Sequence, residues 1–139
     1  MQLQTLSPEL FWLTLTTLMT ALFWMPYIIN WILEQGFLKA AWDPNDYDHS
    51  EPRKAWAARM FQAHGNAVEN LVIFAPLVLT LHALDISTDT TVTACVVYFV
   101  ARAAHFLVFT LGIPLLRVLT FAIAFGAQMV LGLVLLGVM

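Results

Sequence analysis

The sequence predicts an all-α integral membrane protein, a bundle of four transmembrane helices forming one domain over residues 1–139. Three observations carry that prediction. The chain is 60% hydrophobic and only 11% charged, with a mean hydropathy of +0.78, far too apolar for a soluble domain of 139 residues. Its apolar stretches are each long enough for the roughly 20 residues that a bilayer crossing requires. Between them stand segments of turn composition, which divide the chain into spans of about 7–33, 51–84, 88–110 and 114–138.

The first span opens on Ser7, Pro8 and Glu9, a cap, a first-turn proline and an acid near the positive end of the helix dipole. From Leu10 to Leu33 no residue is charged, and Pro26 is expected to bend the helix. Trp12, Trp24, Tyr27 and Trp31 read as interface anchors and packing groups. The amino terminus lacks the basic start of a signal peptide, and the apolar run exceeds a signal core, so this helix is expected to be retained.

The connection Glu34 to Glu51 gathers most of the acids with Gly36, Pro44 and Asn45 and reads as aqueous. Asp46, Asp48 and Ser50 match part of a calcium loop. The required glycine and closing glutamate are missing, and His49 alone adds no ligand set, so no metal site is predicted. Ser50, Glu51 and Pro52 then open the second span as Ser7 to Glu9 open the first, and Pro76 is expected to kink it. The turn from Asp85 to Asp89 offers Ser87 or Thr88 as the next cap, and Gly112 with Pro114 makes a tight third connection.

Polar groups at membrane depth are costly and mark function by default. In RMFQAHGNAVENLVIF, Arg59, Gln62, Asn66 and Glu69 fall within about an 80° arc of one helix face at 100° per residue. Tyr98, Arg102, His105 and Phe109 form a second stripe on the third span. Arg117, Thr120, Ala124 and Gln128 share a face of the fourth, where Ala122 and Gly126 make a small-xxx-small pair suited to close helix contact. His64 points away from the stripe and reads as packing or subunit contact.

All six cations, Lys39, Arg53, Lys54, Arg59, Arg102 and Arg117, lie in or beside the first and third connections. The positive-inside rule makes those two connections cytoplasmic. The three stripes then converge on the cytoplasmic end, with Arg59, Arg102 and Arg117 expected at one depth. Cations beside amides and a carboxylate suit an anionic ligand that also carries an ammonium group. Arginines take its carboxylates, Glu69 accepts from its amine, and an arginine near a thiol favours the nucleophilic thiolate. A bundle in which Glu69 neutralises Arg102 or Arg117 is the alternative. No basic tail points to nucleic acid, the net charge is −3, and Cys95 is the single cysteine, a small buried hydrophobe without a disulfide partner.

RMFQAHGNAVENLVIF and YFVARAAHFLVFTLGIPLLR resemble the MAPEG family, membrane-associated proteins of eicosanoid and glutathione metabolism, in a bacterial-type member. The similarity extends over nearly the whole chain. It rests on the helix-two Ala-His pair with Asn and Glu three apart, and on the arginine, Gly-Pro and arginine pattern of helices three and four. The resemblance implies a left-handed four-helix bundle assembled as a homotrimer in a bacterial inner membrane, with glutathione as cosubstrate between subunits near the cytoplasmic side. It implies that Asn66 and Glu69 hold the glutathione peptide and that Arg102 and His105 belong to the binding site, to which the polar stripe of the second span adds Arg59. Arg117 matches the arginine that lies near the thiol in active members, where a lipophilic substrate is attacked. The chain departs from the catalytic pattern at Gln62, an arginine in catalytic members, and at Phe109, a tyrosine in many. It departs again at Ala67 and Asn70, and at Asn30, Trp31 and Glu34. Two functions follow, a glutathione transferase or peroxidase and a non-catalytic module whose stripes serve trimer assembly. A small multidrug-type transporter is disfavoured, since the first span has no intramembrane acid and the halves show no repeat.

Overall fold

A computed structural model describes residues 6–42 and 54–139. Within them the chain is helical throughout, with no strand among the described residues: α1 (Pro8–Leu22), α2 (Trp24–Gln35), α3 (Phe37–Trp42), α4 (Ala55–Ala83), α5 (Asp89–Leu111) and α6 (Pro114–Leu135). Four helical stretches are long and apolar enough to cross a membrane, Pro8–Gln35, Ala55–Ala83, Asp89–Leu111 and Pro114–Leu135, as an integral membrane protein requires. The first of them is α1 and α2 in series. The acidic connection from residue 43 onward, with His49, the start at Ser50 to Pro52 and Arg53, lies outside the described residues, while its residues 34–42 are helical but for Gly36.

The first span is interrupted at Phe23, between α1 and α2. Pro26 has no N–H to return to the Leu22 carbonyl, and its ring crowds that carbonyl, so the break sits one turn before the proline. Pro76 has a milder effect, since α4 runs through it without interruption. The six-residue α3 was not predicted. Gly36, at φ +89°, turns the chain after α2, and α3 then exposes Phe37, Leu38 and Trp42.

Helix ends follow the local chemistry. Ser7 Oγ accepts from the Leu10 N–H at 3.3 Å, and Thr88 and Thr91 form a reciprocal capping box at the start of α5. Glu9 does more than face a dipole. It is buried, its Oε1 accepts from Thr91 Oγ1 at 2.6 Å and its Oε2 from Ser87 Oγ at 3.1 Å, which ties the head of α1 to the head of α5.

Two apolar clusters fill the bundle. One packs Leu13, Phe74, Val78, Leu81, Cys95, Tyr98 and Leu131 with small residues including Ala94, Ala101, Ala124 and Ala127. Within it Phe74 and Tyr98 stack at 3.8 Å. The other gathers Tyr27, Ala57, Met60, Ala63 and Phe106, with Phe23 stacked on Phe106 at 3.6 Å. Small side chains on the buried faces let these helices approach closely. Ala122 and Gly126 are not among them. Both are exposed, and a side chain added at Gly126 would meet nothing within 4 Å, so that pair makes no helix contact inside this chain.

Candidate functional site

The buried face of α5 carries Tyr98, Arg102 and His105 at offsets of four and three, which brings all three inside the bundle. Arg102 is 2% exposed. Its Nη2 donates to Asn66 Oδ1 on α4 at 2.8 Å. Its Nε and Nη1 have no partner among the described residues, and neither does Tyr98 Oη or His105 Nε2. A buried guanidinium without a counter-charge costs several kcal/mol of lost hydration. Arg102 is thus a cation with donors in reserve.

Asn66 is itself held in place. Asn70 Nδ2 donates to the Asn66 carbonyl at 2.9 Å, and Gln128 Nε2 of α6 donates to the Asn70 carbonyl at 3.0 Å. A polar chain therefore runs Gln128, Asn70, Asn66, Arg102 and joins α6, α4 and α5. Nearly one turn further along α5, His105 Nδ1 lies 3.1 Å from both the Arg117 carbonyl and Thr120 Oγ1. The Arg117 guanidinium stands 4.9 Å from the centroid of the Phe109 ring, within range of a cation–π contact. A cavity of about 230 Å³ opens here, lined by Asn66, His105, Phe109, Arg117, Val118 and Phe121.

The structure thus brings Asn66, Arg102, His105 and Arg117 together and leaves two predicted residues apart. Arg59 Nε donates to the Thr110 carbonyl at 2.8 Å, capping the end of α5, and its guanidinium lies against Gly112. Glu69 is exposed on α4 and makes no ion pair with Arg102 or Arg117, so the internally neutralised bundle is not what forms. The three arginines are also not at one depth. Arg102 lies eight residues before Thr110, where Arg59 binds, and at 1.5 Å per residue it sits about 12 Å deeper.

His64 faces away from this site. Its Nδ1 and Tyr27 Oη hydrogen-bond at 2.8 Å, with Phe23 edge-on to the ring, so it packs α2 against α4. Cys95 is fully buried, and no group of His, Cys, Asp or Glu suited to a metal ion occurs among the described residues. Sequence reasoning missed the roles of Asn70 and Gln128. Their signal was an amide on an apolar span, but each serves a backbone carbonyl, which no side-chain pattern announces. Val118 and Phe121 were missed because an apolar cavity wall looks like any lipid-facing residue.

Comparison with curated proteins and with solved structures gave no match. The MAPEG family model matches residues 14–137, which takes in the first span from residue 14 onward, the other three spans whole and every residue of the polar chain. With that match over nearly its full length, four apolar spans and a polar centre between the last three, the chain belongs to the MAPEG family.

Proposed function

We propose that the protein binds glutathione where the polar faces of α4, α5 and α6 meet, and acts as a glutathione S-transferase or peroxidase on lipophilic electrophiles arriving from the bilayer. Its family includes glutathione transferases and peroxidases. The observation that carries the reading is Arg102, buried, with one nitrogen on Asn66 and two without partners, beside a cavity whose wall includes Arg117. The arrangement fits an anionic peptide. Arg102 and Asn66 supply donors for a carboxylate or peptide oxygen, Arg59 a second cation at the membrane surface, and Glu69 an acceptor for the ammonium group. His105 contributes to the wall.

Arg117 is assigned to the thiol. Its charge favours the thiolate, whose sulfur attacks an electrophilic carbon, forms the sulfur–carbon bond and expels the leaving group. In peroxide reduction the same sulfur attacks one peroxide oxygen and forms a sulfur–oxygen bond as the O–O bond breaks; the departing alkoxide takes a proton, and a second glutathione converts the sulfenic acid to glutathione disulfide and water. The cavity of about 230 Å³ is smaller than the roughly 300 Å³ at the low end of small-molecule sites. Gln62 and Glu69 are exposed on a spanning helix. Both features suit a site completed by a neighbouring copy, hence a homotrimer, in which those polar groups leave the lipid. On this reading the cations, by the positive-inside rule, support a cytoplasmic position for this end of the bundle in a bacterial inner membrane.

Calorimetric titration of the detergent-purified protein with glutathione tests the reading. Saturable binding is expected, with strong loss in Glu69→Ala. In Arg117→Ala, turnover falls about a hundredfold, as for other lost electrostatic donors. Absence of binding by the parent refutes the reading, and parental behaviour in both variants refutes the site. A second reading, a non-catalytic trimer module, is favoured by Phe109, which lines the cavity without a hydroxyl to offer a thiolate. It predicts that Asn66→Ala or Glu69→Ala dissociates the oligomer and that no glutathione binds.

A further inference from the structure

The surroundings of His105 decide which of its nitrogens bears hydrogen. The Arg117 carbonyl, 3.1 Å from Nδ1, can only accept. Thr120 Oγ1, also 3.1 Å from Nδ1, already directs its proton along its own helix, at 2.8 Å from the Leu116 carbonyl and 3.2 Å from that of Arg117. Its oxygen therefore faces the ring as an acceptor. With two acceptors before it, Nδ1 is the donor.

What that donor holds is the first turn of α6. Ile113, the cap residue, makes no side-chain hydrogen bond to the helix. Residues 111–119 are all exposed, so burial of apolar side chains does not fix where this turn sits. Two contacts with α5 reach Arg117 directly. His105 holds its main-chain carbonyl, and Phe109, one helical turn further along α5, lies under its guanidinium. Arg117 is gripped at both ends by one face of α5.

We propose that His105 is a positioning residue: by donating from Nδ1 to the main chain of Arg117 and to Thr120, it sets where the Arg117 guanidinium stands. Its chemical consequence rests on the glutathione reading above. The thiol of bound glutathione ionises against Arg117 only while that guanidinium is held over Phe109, and displacement by about 1 Å is enough to lower turnover roughly a hundredfold.

The test uses the full chain in detergent with His105→Asn, His105→Gln and His105→Leu. The asparagine amide hangs from the same carbon as Nδ1 and keeps the donor in place. The glutamine amide sits one bond further out, and leucine has no donor. The first readout needs no ligand. In arginine-labelled protein, the Arg117 Nε–H resonance, assigned by its absence in Arg117→Lys, is shifted by the Phe109 ring in the parent. His105→Asn keeps that shift, and His105→Gln and His105→Leu lose it.

The second readout is the ultraviolet absorbance of the glutathione thiolate. Measured at saturating glutathione, it is expected to fall in the Gln and Leu variants and to return in Asn. If His105→Leu unfolds on a thermal melt, the Asn and Gln pair decides the matter. A folded Asn variant that loses the shift, or a Gln variant that keeps it, overturns the proposal. Equal loss of the thiolate absorbance in all three variants at saturating glutathione also overturns it, since a donor at the Nδ1 position would then not be what sets Arg117. A parent that shows the shift but binds no glutathione refutes the functional reading and leaves the positioning role standing.

Discussion

In the proposed site, Arg102 and Arg117 differ in burial and access. Arg102 is buried and tied to Asn66, while Arg117 is exposed and rests on Phe109. An aromatic face under a guanidinium orients the cation but donates nothing to a sulfur anion. Phe109→Tyr adds a hydroxyl at the cavity wall, and the expected outcome is a rise in conjugation turnover of about tenfold or more, with glutathione affinity unchanged. Initial rates beside the parent in the same detergent check this, and equal rates contradict it. Asn66, Arg102, His105 and Arg117 were legible in the sequence because polar side chains on apolar spans stand out by cost alone. Glu69 and Arg59 stood out equally. Their separation from the cavity was not legible, because helical spacing fixes a face and leaves open which neighbour that face meets.

The turn between α5 and α6 determines how the site is assembled. Gly112, at φ +75°, closes α5 in a Schellman arrangement, with its N–H on the Phe109 carbonyl at 3.0 Å and the Ile113 N–H on the Val108 carbonyl at 3.0 Å. Arg59 lies across it, and a Cβ at position 112 would stand 3.1 Å from Arg59 Nε. Gly112→Ala therefore meets both a left-handed backbone and a guanidinium. Destabilisation of about 1–2 kcal/mol is expected, read as a lower melting temperature in detergent. Replacement of Arg59 by alanine removes the second part of that penalty and leaves the first. The Gly-Pro signal gave this turn from the sequence, and the caps at Ser7 and Thr88 were equally plain. The clamp of Glu9 on Ser87 and Thr91 was not, since its partners lie 78 and 82 residues away in sequence.

At the scale of the whole molecule, the fold class followed from hydropathy because a bilayer demands long apolar helices and little else. Assembly is a different matter. A lipid-facing surface and a surface buried against another copy are both apolar, and only stray polar groups tell them apart. Gln62 and Glu69, exposed on α4, are such groups. Native mass spectrometry of the parent is expected to give three copies. Retention of that state in Glu69→Ala, with glutathione binding lost, separates a ligand site from an assembly seam, whereas dissociation favours the seam.

The most direct test of a glutathione site around Arg102 is a calorimetric titration of the purified protein with glutathione, beside Arg102→Gln. The account predicts saturable binding by the parent and none by the folded variant, because the buried cation supplies the donors. Equal binding by both proteins, or no heat from either, would contradict it.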